Sequence, residues 1–200
     1  MADPDYFLLT ELRALPQMSD TTKYTEARCL AAAAYITSII ERECDASFVP
    51  RAVTETHDGS GTVYLELGAR YVMAATAATV SGTVVTDTLA VKNGFLYRYT
   101  TGATAPSIWP LGFQNVEVDY LAGYTDTPPD DVKEAALKGT RAYLLSTASN
   151  SAMDDRRTSL NTEQGTIQYV VAGPDRPTGY PEVDAVILAY KRRLNAGVVC

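Results

Sequence analysis

Few side chains in this sequence are equipped for bond chemistry. There is one histidine, His57, and three cysteines, Cys29, Cys44 and Cys200. No GxxxxGK[ST], GxGxxG, HExxH, CxxC or GxSxG run occurs. A Ser-His-Asp or Cys-His arrangement must therefore use His57. That residue sits in Glu55-Thr56-His57-Asp58-Gly59, which reads as a surface turn entering a hairpin. One histidine and three scattered cysteines rule out a His-rich site and a zinc cluster and point away from most metalloenzymes, so neither a metal nor a cofactor is expected. The carboxylate pairs Asp130/Asp131 and Asp154/Asp155 are sequence neighbours. Glycoside hydrolysis needs facing carboxylates ~5–9.5 Å apart, and nothing in the sequence points to such a pair. No catalytic residue is assigned. Cys29 and Cys44 fit as small, buried helix residues.

The bulk properties narrow the class further. Of 200 residues, 46% are hydrophobic and 20% charged, enough to bury a core. Lys+Arg 17 against Asp+Glu 24 gives a net charge of -7. A domain built to grip nucleic-acid phosphates carries a basic excess instead, and Arg156-Arg157 is too small a patch. Met1 to Pro16 lacks the basic and apolar regions of a signal peptide. Cys29 to Ile40 is too short to span a bilayer, which needs ~20 apolar residues. The expected setting is cytoplasmic, with reduced thiols and no membrane.

The elements that must position these groups follow from periodicity. Asp3-Pro4 opens a helix carrying Leu8, Leu12 and Leu15, and Pro16 stops it. Ser19-Asp20 opens a second, with Cys29, Ala33, Ile36, Ile40 and Cys44 as its stripe and Ala31 to Ala34 as a strongly helical run. From Phe48 glycines punctuate β-rich runs. Val63 to Leu67 alternates as a strand, and Tyr71 to Val85 suits one strand or a hairpin turning at Ser81-Gly82. Asn93-Gly94 lies between Leu89-Ala90-Val91 and Phe95-Leu96-Tyr97, the pattern of a type I′ hairpin. Asn115 to Tyr120 is a strand with Val116, Val118 and Tyr120 on one face.

Thr127-Pro128-Pro129-Asp130 then starts a helix with Val132, Ala136, Gly139 and Tyr143 in its stripe. Gly139 costs roughly 1 kcal/mol against alanine, which close packing on the Ala31–Ala34 helix would explain. Ala148 to Gln164 is polar, Gly165 to Val171 suits a strand, and Pro181 begins a last amphipathic helix. Its stripe is Val183, Val186, Ile187, Tyr190 and Leu194. Two uses of that stripe are open, folding back on its own core or docking into another subunit. The fold class expected is α+β: mainly a helical bundle with a β-hairpin-rich insertion and an extended C-terminal arm ending in a helix. The core would span residues 1–150, with helices at about 4–15, 20–45 and 128–147 and the insertion at about 50–121. The arm and docking helix would span 151–200.

Lined up in order, these segments resemble a known family. An Ala-rich helix runs into Ile39-Ile40-Glu41-Arg42-Glu43-Cys44 and Phe48-Val49-Pro50. Thr54-Glu55, the Asp58-Gly59-Ser60-Gly61 turn and Val63-Tyr64-Leu65 follow. A valine-rich strand then ends in Tyr120-Leu121-Ala122-Gly123-Tyr124, and a Pro-containing link leads to Ala135-Ala136-Leu137. This order and spacing, over roughly Tyr24 to Leu145, resembles the head-tail connector (head-completion adaptor) proteins of long-tailed bacteriophages. Leu121 stands where threonine is more usual. Thr178-Gly179-Tyr180-Pro181-Glu182-Val183-Asp184 looks like the C-terminus of adaptors from phages of actinobacteria.

The resemblance implies a structural protein of the virion neck, made in the host cytoplasm and assembled as a dodecameric ring under the portal. It extends the DNA channel and offers a platform to a stopper or tail-completion protein. It also implies that the last helix docks on the portal. Tyr180, Val183, Val186, Ile187, Tyr190 and Leu194 would be the anchors, and Lys191, Arg192 and Arg193 would pair with acidic groups. Tyr97, Arg98 and Tyr99 are candidates for the ring or stopper interface, or plain strand residues. DNA would pass through an acidic lumen without being held. Two other classes remain: another virion ring protein (stopper or tail terminator), and a small hydrolase using His57 or a carboxylate pair.

Overall fold

The computed structural model describes residues 6–148, 159–162, 165–168 and 177–191. The chain divides into two compact units: Ala46–Pro128, and the segments on either side of it.

In the flanking unit the described helices are α1 (Leu9–Ala14), α2 (Glu26–Cys44), α3 (Asp130–Ala148) and α4 (Pro181–Tyr190). Helix α1 begins later than Asp3-Pro4 suggests. Tyr6 and Phe7 are buried and non-helical, and the Leu8 amide donates to the Glu11 carboxylate at 2.8 Å, which caps the helix from within. Helix α2 likewise starts at Glu26. Asp20 instead accepts the amides of Thr22 and Lys23 at 2.9 and 3.0 Å, closing a turn. Thr25 then caps α2 by accepting the Arg28 amide. Its apolar stripe of Cys29, Ala33, Ile36, Ile40 and Cys44 is fully buried. The stripe packs against α3, whose Val132, Ala135, Ala136 and Leu144 are also buried.

Residues 46–128 carry seven strands: β1 (Arg51–Gly59), β2 (Tyr64–Glu66), β3 (Val72–Val80), β4 (Thr83–Val84), β5 (Thr88–Lys92), β6 (Phe95–Tyr99) and β7 (Gly112–Ala122). They form two antiparallel sheets, ordered β1-β7-β3-β4 and β2-β6-β5. The two tight turns are where glycine chemistry places them. Asn93 and Gly94 have φ of 53° and 80°, and Ser81 and Gly82 have 49° and 77°. Tyr71 to Val85 is therefore the hairpin, not one strand. Leu65, Leu96, Trp109, Val116, Val118 and Tyr120 form the core of this unit. Trp109 anchors it: the indole N–H donates to the Leu96 carbonyl at 3.2 Å, and its backbone amide to Thr62 at 2.7 Å. A further hairpin pairs β8 (Ser159–Thr162) with β9 (Gly165–Gln168). The expected strand from 169 to 171 lies outside the described residues.

A mainly helical bundle is not what forms. Nine described strands in three sheets share the molecule with four described helices, two of which are short. One physical reason accounts for the difference. Strand β1 pairs along nearly its whole length with β7, from Arg51↔Ala122 to Gly59↔Gly112, so a stretch read as a turn is a nine-residue strand. At the C-terminal end, α4 lies on α2 and α3. Val183 and Ile187 are completely buried there, each a burial worth about 1.5–3 kcal/mol.

Candidate functional site

Strand alternation decides what His57 does. Val53, Glu55 and His57 share the half-buried side of β1, while Thr54, Thr56 and Asp58 are exposed. His57 thus faces inward, with its side chain 18% exposed, and is not the surface turn residue expected from its neighbours. Its Nε2 lies 3.0 Å from Glu55 Oε2. The same Glu55 oxygen accepts the Gly68 amide at 3.0 Å. The Tyr120 hydroxyl accepts the Ala69 amide at 3.2 Å. Burial, and then its hydrogen bond to the Glu55 carboxylate, push the Tyr120 phenol up to about 12. The cluster ties the 68–69 segment to β1 and β7 through the Glu55 carboxylate and the Tyr120 hydroxyl, which makes it a brace.

Of the other candidate carboxylates, Asp131 has structural partners. Asp131 accepts the Val132 amide at 2.9 Å and the Tyr190 hydroxyl at 3.1 Å. Asp154 and Asp155 lie outside the described residues. Among the described residues no group of three His, Cys, Asp or Glu side chains is placed to hold a metal. Cys29 and Cys44 are buried, and desolvation pushes the Cys29 thiol up, away from reactivity. No described helix is long and apolar enough to cross a membrane.

The candidate docking helix carries its residues in two groups. Val183 and Ile187 face its own unit, and Val183 sits over Gly139 of α3. A Cβ at Gly139 would lie 2.6 Å from Val183 Cγ2 and 3.2 Å from Ile36 Cγ2. The glycine therefore makes room for α4 and for Ile36, one turn beyond the Ala31–Ala34 run. Asp184 Oδ1 accepts both the Thr178 hydroxyl at 2.6 Å and its amide at 3.0 Å, fixing the entry to the helix. Lys191 pairs with Glu43 at 3.2 Å. Tyr180, Val186 and Tyr190 are half-buried, and Leu188 and Lys191 are exposed. Arg192, Arg193 and Leu194 lie outside the described residues.

Tyr97, Arg98 and Tyr99 are half-buried strand residues of β6. Arg98 is committed inside its own unit: it donates to the Ile108 carbonyl, lies 3.6 Å from Asp87 and stacks over Trp109 at 5.3 Å. The larger apolar exposure begins at Ile108, whose carbonyl Arg98 holds. Ile108, Leu111 and Phe113 are 58%, 82% and 79% exposed. The run Ile108-Trp109-Pro110-Leu111-Gly112-Phe113 holds the available signal: it is apolar without strand alternation, and only Trp109 turns inward. In the helical unit, Tyr35 is 49% exposed and stacks on Tyr143 at 4.8 Å. These two rings form one wall of a groove of about 270 Å³ whose other lining includes Ile39, Thr147, Pro177 and Tyr180.

No known family model and no curated protein matches the sequence. Solved structures do share the fold. A chain of the virion of native gene transfer agent particles is similar with a TM-score of 0.59 and 18% identity, over 98% of this chain and 96% of that chain. A chain of the neck of the native particle, computed with C12 symmetry, gives a TM-score of 0.54 at the same identity and coverage. A chain of the neck of the empty particle, computed with C6 symmetry, gives 0.55, again at 18% identity over 98% and 96% of the two chains. Across both of its units, this chain has the fold of chains found in phage-like particle necks.

Proposed function

We propose that this protein is a structural component of the head-tail neck: an adaptor that assembles as a ring under the portal, dodecameric as the family resemblance implies. It extends the DNA channel and presents a platform to a stopper or tail-completion protein. Its place is the virion neck, after assembly in the host cytoplasm. The observation that carries this reading is the fold shared with gene transfer agent neck chains over 98% of the sequence. The absence of an assignable catalytic group in the sequence agrees with a structural role. A net charge of -7 suits a ring that surrounds DNA without sequence-specific contact.

Portal contact is assigned to the outward side of α4, through Val186, Tyr190 and Lys191, together with Arg192, Arg193 and Leu194, which lie outside the described residues. Val183 and Ile187 hold the helix in place. Tyr97 and Tyr99, on the strand fixed by Arg98, are assigned to a neighbouring ring or stopper surface.

The test is co-migration with portal, read by particle mass and electron microscopy. A ring seated on portal supports the adaptor. A protein that ignores portal but binds a preformed neck points to a stopper or tail terminator. A monomer that binds neither removes the neck reading. Val186→Asp combined with Lys191→Glu is expected to abolish portal co-migration while leaving the far-ultraviolet circular dichroism unchanged.

A further inference from the structure

A ring of identical chains needs two different surfaces per subunit that fit each other. We infer that Leu111 and Phe113 of one copy insert into the Tyr35/Tyr143/Tyr180 groove of the next, an inference that rests on the ring reading above. Three observations converge on this pairing.

The first is a projection. Leu111 and Phe113 are the two most exposed large apolar side chains among the described residues. The backbone carrying them is pinned rather than loose. Gly59 and Gly112 are paired, the Gly59 amide donates to Asn115 Oδ1 at 2.7 Å, and the Gln114 amide donates to Asp58 Oδ1 at 2.6 Å. An apolar knob held on a fixed strand end loses little conformational freedom on docking.

The second is a receptor of matching size. The groove measures about 270 Å³, and a cavity of roughly 150 Å³ already admits a benzene-sized ring. Tyr35, Tyr143, Tyr180 and Ile39 supply its apolar lining, and Ser146, Thr147 and Thr178 add hydroxyl groups. Tyrosine-lined pockets that take an aromatic anchor are the usual centre of an interface.

The third is charge. Asp58 is exposed beside the knob and accepts the amide next to Phe113. Arg28 stands at the groove, its guanidinium donating to Thr147 Oγ1 at 3.2 Å. The negative side chain accompanies the projection and the positive one its receptor, so a like pair of surfaces cannot satisfy the contact but a knob and a groove can. A second copy supplies both halves, whereas a different protein would leave one half of every copy unused.

The experiment uses the full chain, unlabelled copies mixed with ¹⁵N-labelled copies, in the presence of portal. The labelled copies carry a photoreactive benzophenone side chain at position 113. After illumination, peptides are mapped by mass spectrometry. The expected result is a crosslink from labelled position 113 to the unlabelled peptides that contain Tyr35, Tyr143 or Tyr180. In parallel, Leu111→Asp and Tyr35→Asp are each expected to lower ring yield at least tenfold. Rings that form with position 113 crosslinked elsewhere, to portal or to another surface, overturn the inference and leave the ring reading intact. So does an undiminished ring yield from Leu111→Asp chains. Failure of wild-type chains to form rings with portal overturns the ring reading, and this inference with it.

Discussion

At Gly59 a single hydrogen atom separates a working sheet from a collision. A Cβ there would sit 1.7 Å from the Pro110 carbonyl oxygen, which is backbone and cannot swing aside. Gly59→Ala must therefore displace the 108–113 run, at a cost at or above the ~1–3 kcal/mol typical of overpacking. Chemical denaturation followed by Trp109 fluorescence checks it, since Trp109 is the sole tryptophan and is packed beside that run. Tyr120 gives a second prediction, this time in pH. Its phenol is raised to about 12 in the folded protein, against 10.0 for a free tyrosine. The stabilisation is thus complete below pH ~10 and is lost as pH climbs through ~12. Tyr120→Phe is expected to leave Glu55 and the Ala69 amide short of a partner, costing about 1–3 kcal/mol, and to flatten the alkaline end of the stability profile. Absorbance at 295 nm should show one late-titrating tyrosine disappear in the variant.

Among the elements, α4 shows most plainly where sequence reasoning stops. Its amphipathic stripe and N-terminal proline were legible, because both are local. Which surface receives the stripe was not legible, because that depends on Gly139 and Ile36, which lie over forty residues away. The same holds for β1. Its alternation is weak, with Thr54, Thr56, Asp58 on one side and Glu55, His57 on the other. Only the distant partner β7 makes it a strand, and only the strand turns His57 inward. By contrast, the Asn93-Gly94 and Ser81-Gly82 turns were fixed by their own dipeptides. Two expected outcomes test the α4 seat. Ile187→Ala should cost about 2–5 kcal/mol of helical-unit stability, read from ellipticity at 222 nm. The Glu43–Lys191 pair should add an acid-sensitive part. The Lys191 hydrogen bond holds Glu43 below its usual 4.5, so its contribution is full above that value and fades as pH falls through the lower folded one. The pair is largely exposed, so Lys191→Met should remove only ~0.2–1 kcal/mol, and less in high salt.

For the whole molecule, each compact unit has its own core and its own reporter. Trp109 lies in the β unit, while all the long helices lie in the other. Ile187→Ala is therefore expected to lower the melting temperature seen at 222 nm by several degrees more than that seen by tryptophan fluorescence, since ~1 kcal/mol moves a 60–100-residue domain by ~4–8 °C. Identical shifts with both probes would show that the units melt as one.

The placement of the β unit within the chain also sets the timing of synthesis. Helix α2 ends at Cys44, but its partners α3 and α4 begin only at Asp130 and Pro181. At ~5–20 residues per second, the ribosome leaves the Ile36–Ile40 face without its final cover for on the order of ten seconds. Meanwhile β1 to β7 emerge as an uninterrupted block that can close first. A chain stopped before Ile187 thus retains an uncovered apolar face, which marks it for chaperones and proteases before it can join an assembly of complete copies.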